Sequence, residues 1–156
     1  MSRRPESPRA RRVAPTPDPG ETPDYADAFE IHLDHDDSRT AEQWARSGLE
    51  GAPSVLRHVI RGVHRHVLRF DLGDPGSPEH VLGWRVAESQ PDLVRLQTES
   101  SLMRAMILGQ RIDGGILLQT RLFYRSGFAP TLWRVIGPIH RAVAPYLLER
   151  AARDTA

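Results

Sequence analysis

One residue in the stretch "LWRVIGPIHRAV" stands out for chemistry. His140 falls one heptad after Trp133, at the edge of an apolar stripe with helical spacing. An imidazole facing a cavity can move a proton near neutral pH or hold a ligand. The spacing identifies no partner carboxylate, so a core histidine bonded to a backbone carbonyl is the simpler assignment. Tyr124, Thr120 and Thr98 form a second group. In their strands they alternate onto the same side as Leu96, Leu118, Leu122 and Trp84. A few polar groups among apolar ones describe a ligand pocket, and equally an imperfect sheet core. Glu99 and Arg104 flank a hairpin turn, where a cross-strand ion pair would contribute only about 0–1 kcal/mol.

Other chemistries find less support. "HLDHDDS" packs His32, Asp34, His35, Asp36 and Asp37 together, but in no defined metal spacing. Strand alternation would point His32 and His35 apart, so no metal is assigned. "RHVIRGVHRHVLR" is a basic amphipathic face that reads as the solvated side of a packed helix. No aromatic residue interleaves with its arginines to stack bases. A Gly-x-Ser-x-Gly elbow is absent. There is no cysteine, hence no disulfide, zinc-thiolate site or thiol nucleophile, which fits a cytoplasmic protein. All 21 basic residues are arginine, a mark of GC-rich, actinobacterial-type composition that also excludes a Schiff-base lysine. A net charge of +1 gives no field for nucleic acid. No apolar run approaches the roughly 18 residues of a membrane span, and the arginine-rich start lacks the apolar core of a secretory signal.

These candidates must be positioned by the elements around them. Residues 1–22 hold five arginines and five prolines with few large apolar side chains. Such a segment buries too little to offset its ordering entropy, so a disordered tail is expected. The globular domain is expected over 23–153. "DYADAFEIHL" reads as a first strand. "SRTAEQWARSGLE" reads as a helix with Ser38 as N-cap. In "APSVLRHVIRGVHRHVLRF" a second helix turns Leu56, Ile60, Val63 and Val67 to one side, and Arg57, Arg61, His64 and Arg65 to the other. "HVLGWRVAES" and "LVRLQTES" are strands joined at "QPD". "LMRAMILGQRI" and "ILLQTRLFYRS" form a hairpin about "DGG". In the last strand Arg121 and Arg125 mark a wet face. Strands that follow one another without helices between them make an antiparallel sheet.

The closing stretch must cover that sheet. Leu132, Val135, Ile136, Ile139, Val143, Tyr146 and Leu147 fall on one stripe of a helical wheel, with Pro138 and Pro145 opposite. Each interior proline costs about 3 kcal/mol in propensity. On the solvent side, two of them would curl the apolar stripe around its core. A single bent helix accounts for the unbroken register better than two helices meeting at Gly137-Pro138.

The segments "GWRVAES", "LLQTRLFYRSGF" and especially "LWRVIGPIHRAVAPYLLERAA" resemble an uncharacterised bacterial family of START-like helix-grip domains, over roughly residues 24–152. Pro138, Ile139, His140 and Arg141 match its Pro-Phe-His-Arg segment, with isoleucine where phenylalanine is usual. Trp84, Arg85 and Val86 match a strand motif. The resemblance implies an α+β fold, a curved antiparallel sheet wrapped around a long C-terminal helix with a cavity between them. Some members follow an NAD-binding epimerase-like domain; these 156 residues contain none, so no cofactor is expected. The leading expectation is a small hydrophobic ligand held by Trp84, Leu96, Thr98, Leu118, Thr120, Tyr124, Ile136 and His140. A polyketide cyclase or aromatase would use His140, Tyr124 or Arg104 in the same cavity. A third reading is a cavity-less module that binds a reductase-like protein.

Overall fold

The structure, a computed structural model, describes residues 7–17 and 20–154. Seven antiparallel strands form one sheet: β1 (Arg11–Val13), β2 (Tyr25–His32), β3 (His80–Val81), β4 (Trp84–Gln90), β5 (Leu93–Glu99), β6 (Met103–Ile112) and β7 (Gly115–Tyr124). Their order is β1-β2-β7-β6-β5-β4-β3. Between β2 and β3 lie α1 (Ala41–Leu49), α2 (Ser54–Gly62) and a π-turn (Val63–Val67), and α3 (Ala129–Arg153) closes the chain. The protein is thus α+β, an antiparallel sheet with a long C-terminal helix.

Alternation sets the inner face. Tyr25, Asp27, Phe29 and Ile31 of β2 lie opposite Leu122, Thr120, Leu118 and Ile116 of β7. Across β7, Ala105, Ile107 and Gly109 of β6 carry the face towards Thr98, Leu96 and Val94 of β5. The C-terminal half of α3 seals one end: Ala144, Leu148, Ala151 and Ala152 pack with Phe29, Ile31 and Ile116. Helix α1 covers the β3–β6 side. It starts at a capping box, where the Thr40 hydroxyl accepts from Gln43 N–H and the Gln43 side chain accepts from Thr40 N–H. The cap is therefore Thr40, two residues after the expected Ser38, because Gln43 supplies the reciprocal bond.

Helix α3 runs unbroken through both prolines. Pro138 is exposed and Pro145 half-buried, so the two lost hydrogen bonds lie towards water. The buried stripe, however, is rotated from the expected one. Trp133, Gly137, Ala144, Leu147 and Leu148 face the core, whereas Val135, Ile139 and Tyr146 are 65%, 56% and 39% exposed. Small residues decide this. Ala144, Ala151 and Ala152 let the helix axis approach the sheet, and the larger apolar side chains are left at the flank.

Two further expectations give way. "HVLGWRVAES" is a tight hairpin, in which Val81 pairs with Trp84 across Leu82 and Gly83, both at positive φ (50° and 90°). Glycine takes that conformation freely. Leu82 is held there by burial among Ala52, Ile60 and Leu147. The disordered tail over 1–22 is also overturned for its described part, since residues 1–6 and 18–19 lie outside the described residues. β1 pairs with the edge of β2, and Ala10 N–H donates to Glu149 Oε1 at 3.0 Å. Further on, Thr16 crosses the outer face of β7. Its N–H donates to Gln119 Oε1, and its carbonyl accepts from Arg121 Nη2. Arg121, expected on a wet face, is only 6% exposed beneath this arm. Apolar content was the wrong measure here, because an open strand edge recruits main-chain bonds whatever the composition.

Candidate functional site

Neither α1 nor the tight half of α3 covers the middle of β6 and β7. The space left over Ala105, Ile107, Leu118, Thr120 and Leu122 is a cavity of about 140 Å³. Ile136, His140, Val143 and Leu147 of α3 form one wall. Opposite them stand Leu56, Val59, Ile60, Val63 and His64, from α2 and the π-turn. Val59 and Ile139 are each 56% exposed, so the cavity reaches the surface between α2 and α3. Its volume matches an engineered apolar cavity of about 150 Å³ that stays dry and binds benzene.

Of the expected ligand contacts, Trp84, Leu118, Thr120, Ile136 and His140 line this cavity. Three do not. Leu96 is sealed in the core beside Val86. Thr98 lies by the β3–β4 edge, its hydroxyl 3.4 Å from the Asp71 carbonyl oxygen. Tyr124 sits past the end of the cavity, with its N–H donated to Asp24 Oδ2; burial, then the Asp24 charge, raises its phenol pKa. The correct strand face placed these residues on the right layer. It did not show how much of the layer α1 fills. Arg104 points to the outer face, stacked on Phe123 and paired with Glu21. Its expected partner, Glu99, faces it in the strand register but pairs with Arg125 Nη2 at 2.8 Å.

The carboxylate missing from the sequence reading of His140 is Asp27. It is 1% exposed on the inner face of β2, directly opposite Thr120. Its Oδ2 lies 2.9 Å from His140 Nε2 and accepts from Tyr25 Oη–H at 2.5 Å. Arg141 Nη1 donates to the Tyr25 oxygen at 3.2 Å. Burial, followed by the bond to Asp27, raises the Tyr25 pKa, so the phenol keeps its proton. Trp133 completes the cluster, with ring centroids 5.1 Å from Tyr25 and 5.3 Å from His140. Asp27 Oδ2 and His140 Nε2 are close, but their contact falls short of hydrogen-bond geometry. Asp27 Oδ1, His140 Nε2 and Trp133 Nε1 are buried polar atoms without a hydrogen-bond partner. Such atoms cost stability and mark sites with a use beyond packing. A signal was present in the sequence: in "YADAFEI" the positions that alternate with Asp27 are Tyr25, Phe29 and Ile31. A carboxylate on that face needs a partner.

His64 is the second residue that periodicity misplaced. His64 follows Ile60 by four positions, and residues so spaced share a helix face, so it lies on the Ile60 side. There it meets Trp84 and Phe70 edge-on at 5.5 and 5.8 Å. Trp84 Nε1–H donates to His64 Nδ1 at 3.2 Å. Burial, with a smaller effect of His140, pushes the His64 pKa down to about 4. Two imidazoles therefore look into one cavity from opposite walls.

The metal candidate does not assemble. His32 and His35 lie nearest Glu30 and Asp34, at 3.5 and 3.9 Å, and Asp37 is held by Arg39. Among the described residues no group of three metal-ligating side chains converges, and no helix is long and apolar enough to cross a membrane. The chain matches no family model, no curated protein and no solved structure.

Proposed function

We propose that this protein is a helix-grip domain of START-like type that binds a small hydrophobic molecule between its sheet and α3. The observation that carries this is the cavity itself. It is walled by aliphatic and aromatic side chains, with His64, Thr120 and His140 as its few polar contacts. That mixture is what orients a small ligand in a largely apolar site. Exposed Val59 and Ile139 at the mouth supply an apolar approach, and α2, which buries only Ile60, is the wall with least to lose by moving.

Benzene tests the cavity directly. Titration should perturb backbone amide resonances of β6, β7 and α3 around the lining. Ala105→Leu, which fills the floor, should abolish that response while the fold persists. Native mass spectrometry of the purified protein would then weigh any natural occupant. An absence of benzene-dependent shifts in the unmodified protein would sink the proposal.

A second reading is an enzyme of the cyclase type, favoured by one observation: the buried Asp27 carboxylate stands 2.9 Å from His140 Nε2, where a carboxylate stands beside a catalytic base. Tyr124 and Arg104 drop out of that scheme because neither reaches the cavity. Turnover that persists in His140→Gln would exclude it.

A further inference from the structure

The two imidazoles are not equivalent towards a ligand, because each has its tautomer fixed by a different neighbour. A carboxylate only accepts. Asp27 Oδ2, 2.9 Å from His140 Nε2, therefore places a single ring proton on Nε2 and leaves Nδ1 bare. An indole N–H only donates, so Trp84 occupies the bare Nδ1 of His64 and the His64 proton sits on Nε2. Both rings are then Nε2–H tautomers, yet the end left without a protein partner differs: Nδ1 of His140 and Nε2 of His64. Neither His140 Nδ1 nor His64 Nε2 is among the sealed polar atoms, and both residues line the space. We propose that His140 acts as a hydrogen-bond acceptor and His64 as a donor, so that the cavity selects a ring-sized apolar molecule carrying one hydroxyl. This inference rests on the ligand-binding reading. It adds the polar group that the ligand must present.

A hydroxyl is complementary to this pair because it gives one hydrogen bond and takes one. A carbonyl would use only His64, and a hydrocarbon neither. The low pKa of His64 keeps its donor end unchanged through the physiological range, since the ring stays neutral. Asp27 has a positioning role: it touches no ligand and sets which end of His140 is bare. Tyr25, hydrogen-bonded to the same oxygen, holds the carboxylate in place.

Phenol and benzene share a ring and differ by the hydroxyl, so their affinities for the full chain are to be compared by calorimetry or amide-shift titration. Phenol should bind about tenfold tighter, the worth of two net hydrogen bonds. His64→Leu should lose that preference, whereas His64→Gln should keep it, because a glutamine accepts from Trp84 and still offers an N–H. Asp27→Asn places an amide donor against His140 Nε2 and moves the ring proton to Nδ1. The preference should fall while benzene affinity holds. Imidazole ¹⁵N shifts would report the same flip at His140 and none at His64. Benzene affinity in each variant also checks that the cavity has folded. Equal affinities for phenol and benzene would overturn the inference and leave the ligand-binding reading standing, as would a phenol preference indifferent to Asp27→Asn. Failure of both probes to bind would remove the ligand-binding reading itself.

Discussion

The His64 wall and the His140 wall of the cavity solve one problem, fixing an imidazole in an apolar place, by opposite means. His64 is boxed by aromatic rings and kept neutral by burial, with one N–H···N bond to Trp84. His140 stands against a buried carboxylate that draws in Tyr25 and, through it, Arg141. The first arrangement needs few polar partners, and acid opposes it. The second carries charge inside and leaves three polar atoms short of partners. Buried charge is retained at a cost to stability, and geometry or function must justify it. That difference makes the Asp27 side the more probing place to cut.

Acid gives the largest expected separation of the two walls. The folded-state pKa of His64 lies near 4, below the ordinary 6.5. Between those values the unfolded chain binds the proton more readily, so stability rises with pH. The contribution is full above pH 6.5 and is lost as pH falls towards 4. It amounts to about 3 kcal/mol. Urea midpoints across this window should fall more steeply for the unmodified protein than for His64→Gln. Parallel curves would mean that His64 is not buried as neutral.

Cutting one hydrogen bond on each side sharpens the contrast further. Tyr25→Phe removes the donor to a buried carboxylate, and bonds to charged groups are worth about 1.5–3 kcal/mol. The expected loss in unfolding free energy is about 2 kcal/mol, with the His140 ring resonances displaced. Trp84→Phe cuts a neutral bond worth about 1 kcal/mol and trims the ring as well, yet it should leave His140 undisturbed. A displacement of His140 by the distant substitution alone would show that the two walls are not independent.

The parts of this protein legible in its sequence are those governed by local periodicity. The β6–β7 hairpin about Asp113 and Gly114, the turn at Pro91, and a single helix through Pro138 and Pro145 all follow from spacing and turn chemistry. The candidate site depended on three things that spacing does not encode. Asp27 and His140 are 113 positions apart, joined only by the packing of α3 on β2. His64, at the edge of the stripe four positions after Ile60, is buried by Phe70 and Trp84, which come from outside its helix. The arm at Thr16 bonds to Gln119 through main-chain and side-chain groups that a count of apolar residues ignores. Alternation did place Thr120 and Leu118 at the cavity floor, since a strand face is a local property even when its covering is not.

The smallest expected effect on stability tests the closest packing on the His140 side. A Cβ added at Gly137 would lie 2.8 Å from Arg141 Nη1 and 3.1 Å from Trp133 Nε1. Glycine within a helix costs about 1 kcal/mol relative to alanine, so its presence in α3 needs a reason, and these two side chains supply one. In Gly137→Ala the guanidinium must swing away, loosening its bond to Tyr25, while the indole shifts by a few tenths of an ångström. Helix propensity and lost contacts oppose each other, leaving a net change within about 1 kcal/mol. The informative readout is spectroscopic: Tyr25 and His140 resonances should move while those of His64 and Trp84 stay fixed. If all four moved together, the cavity would respond as one body, and the division into a wall held by packing and a wall held by charge would fail.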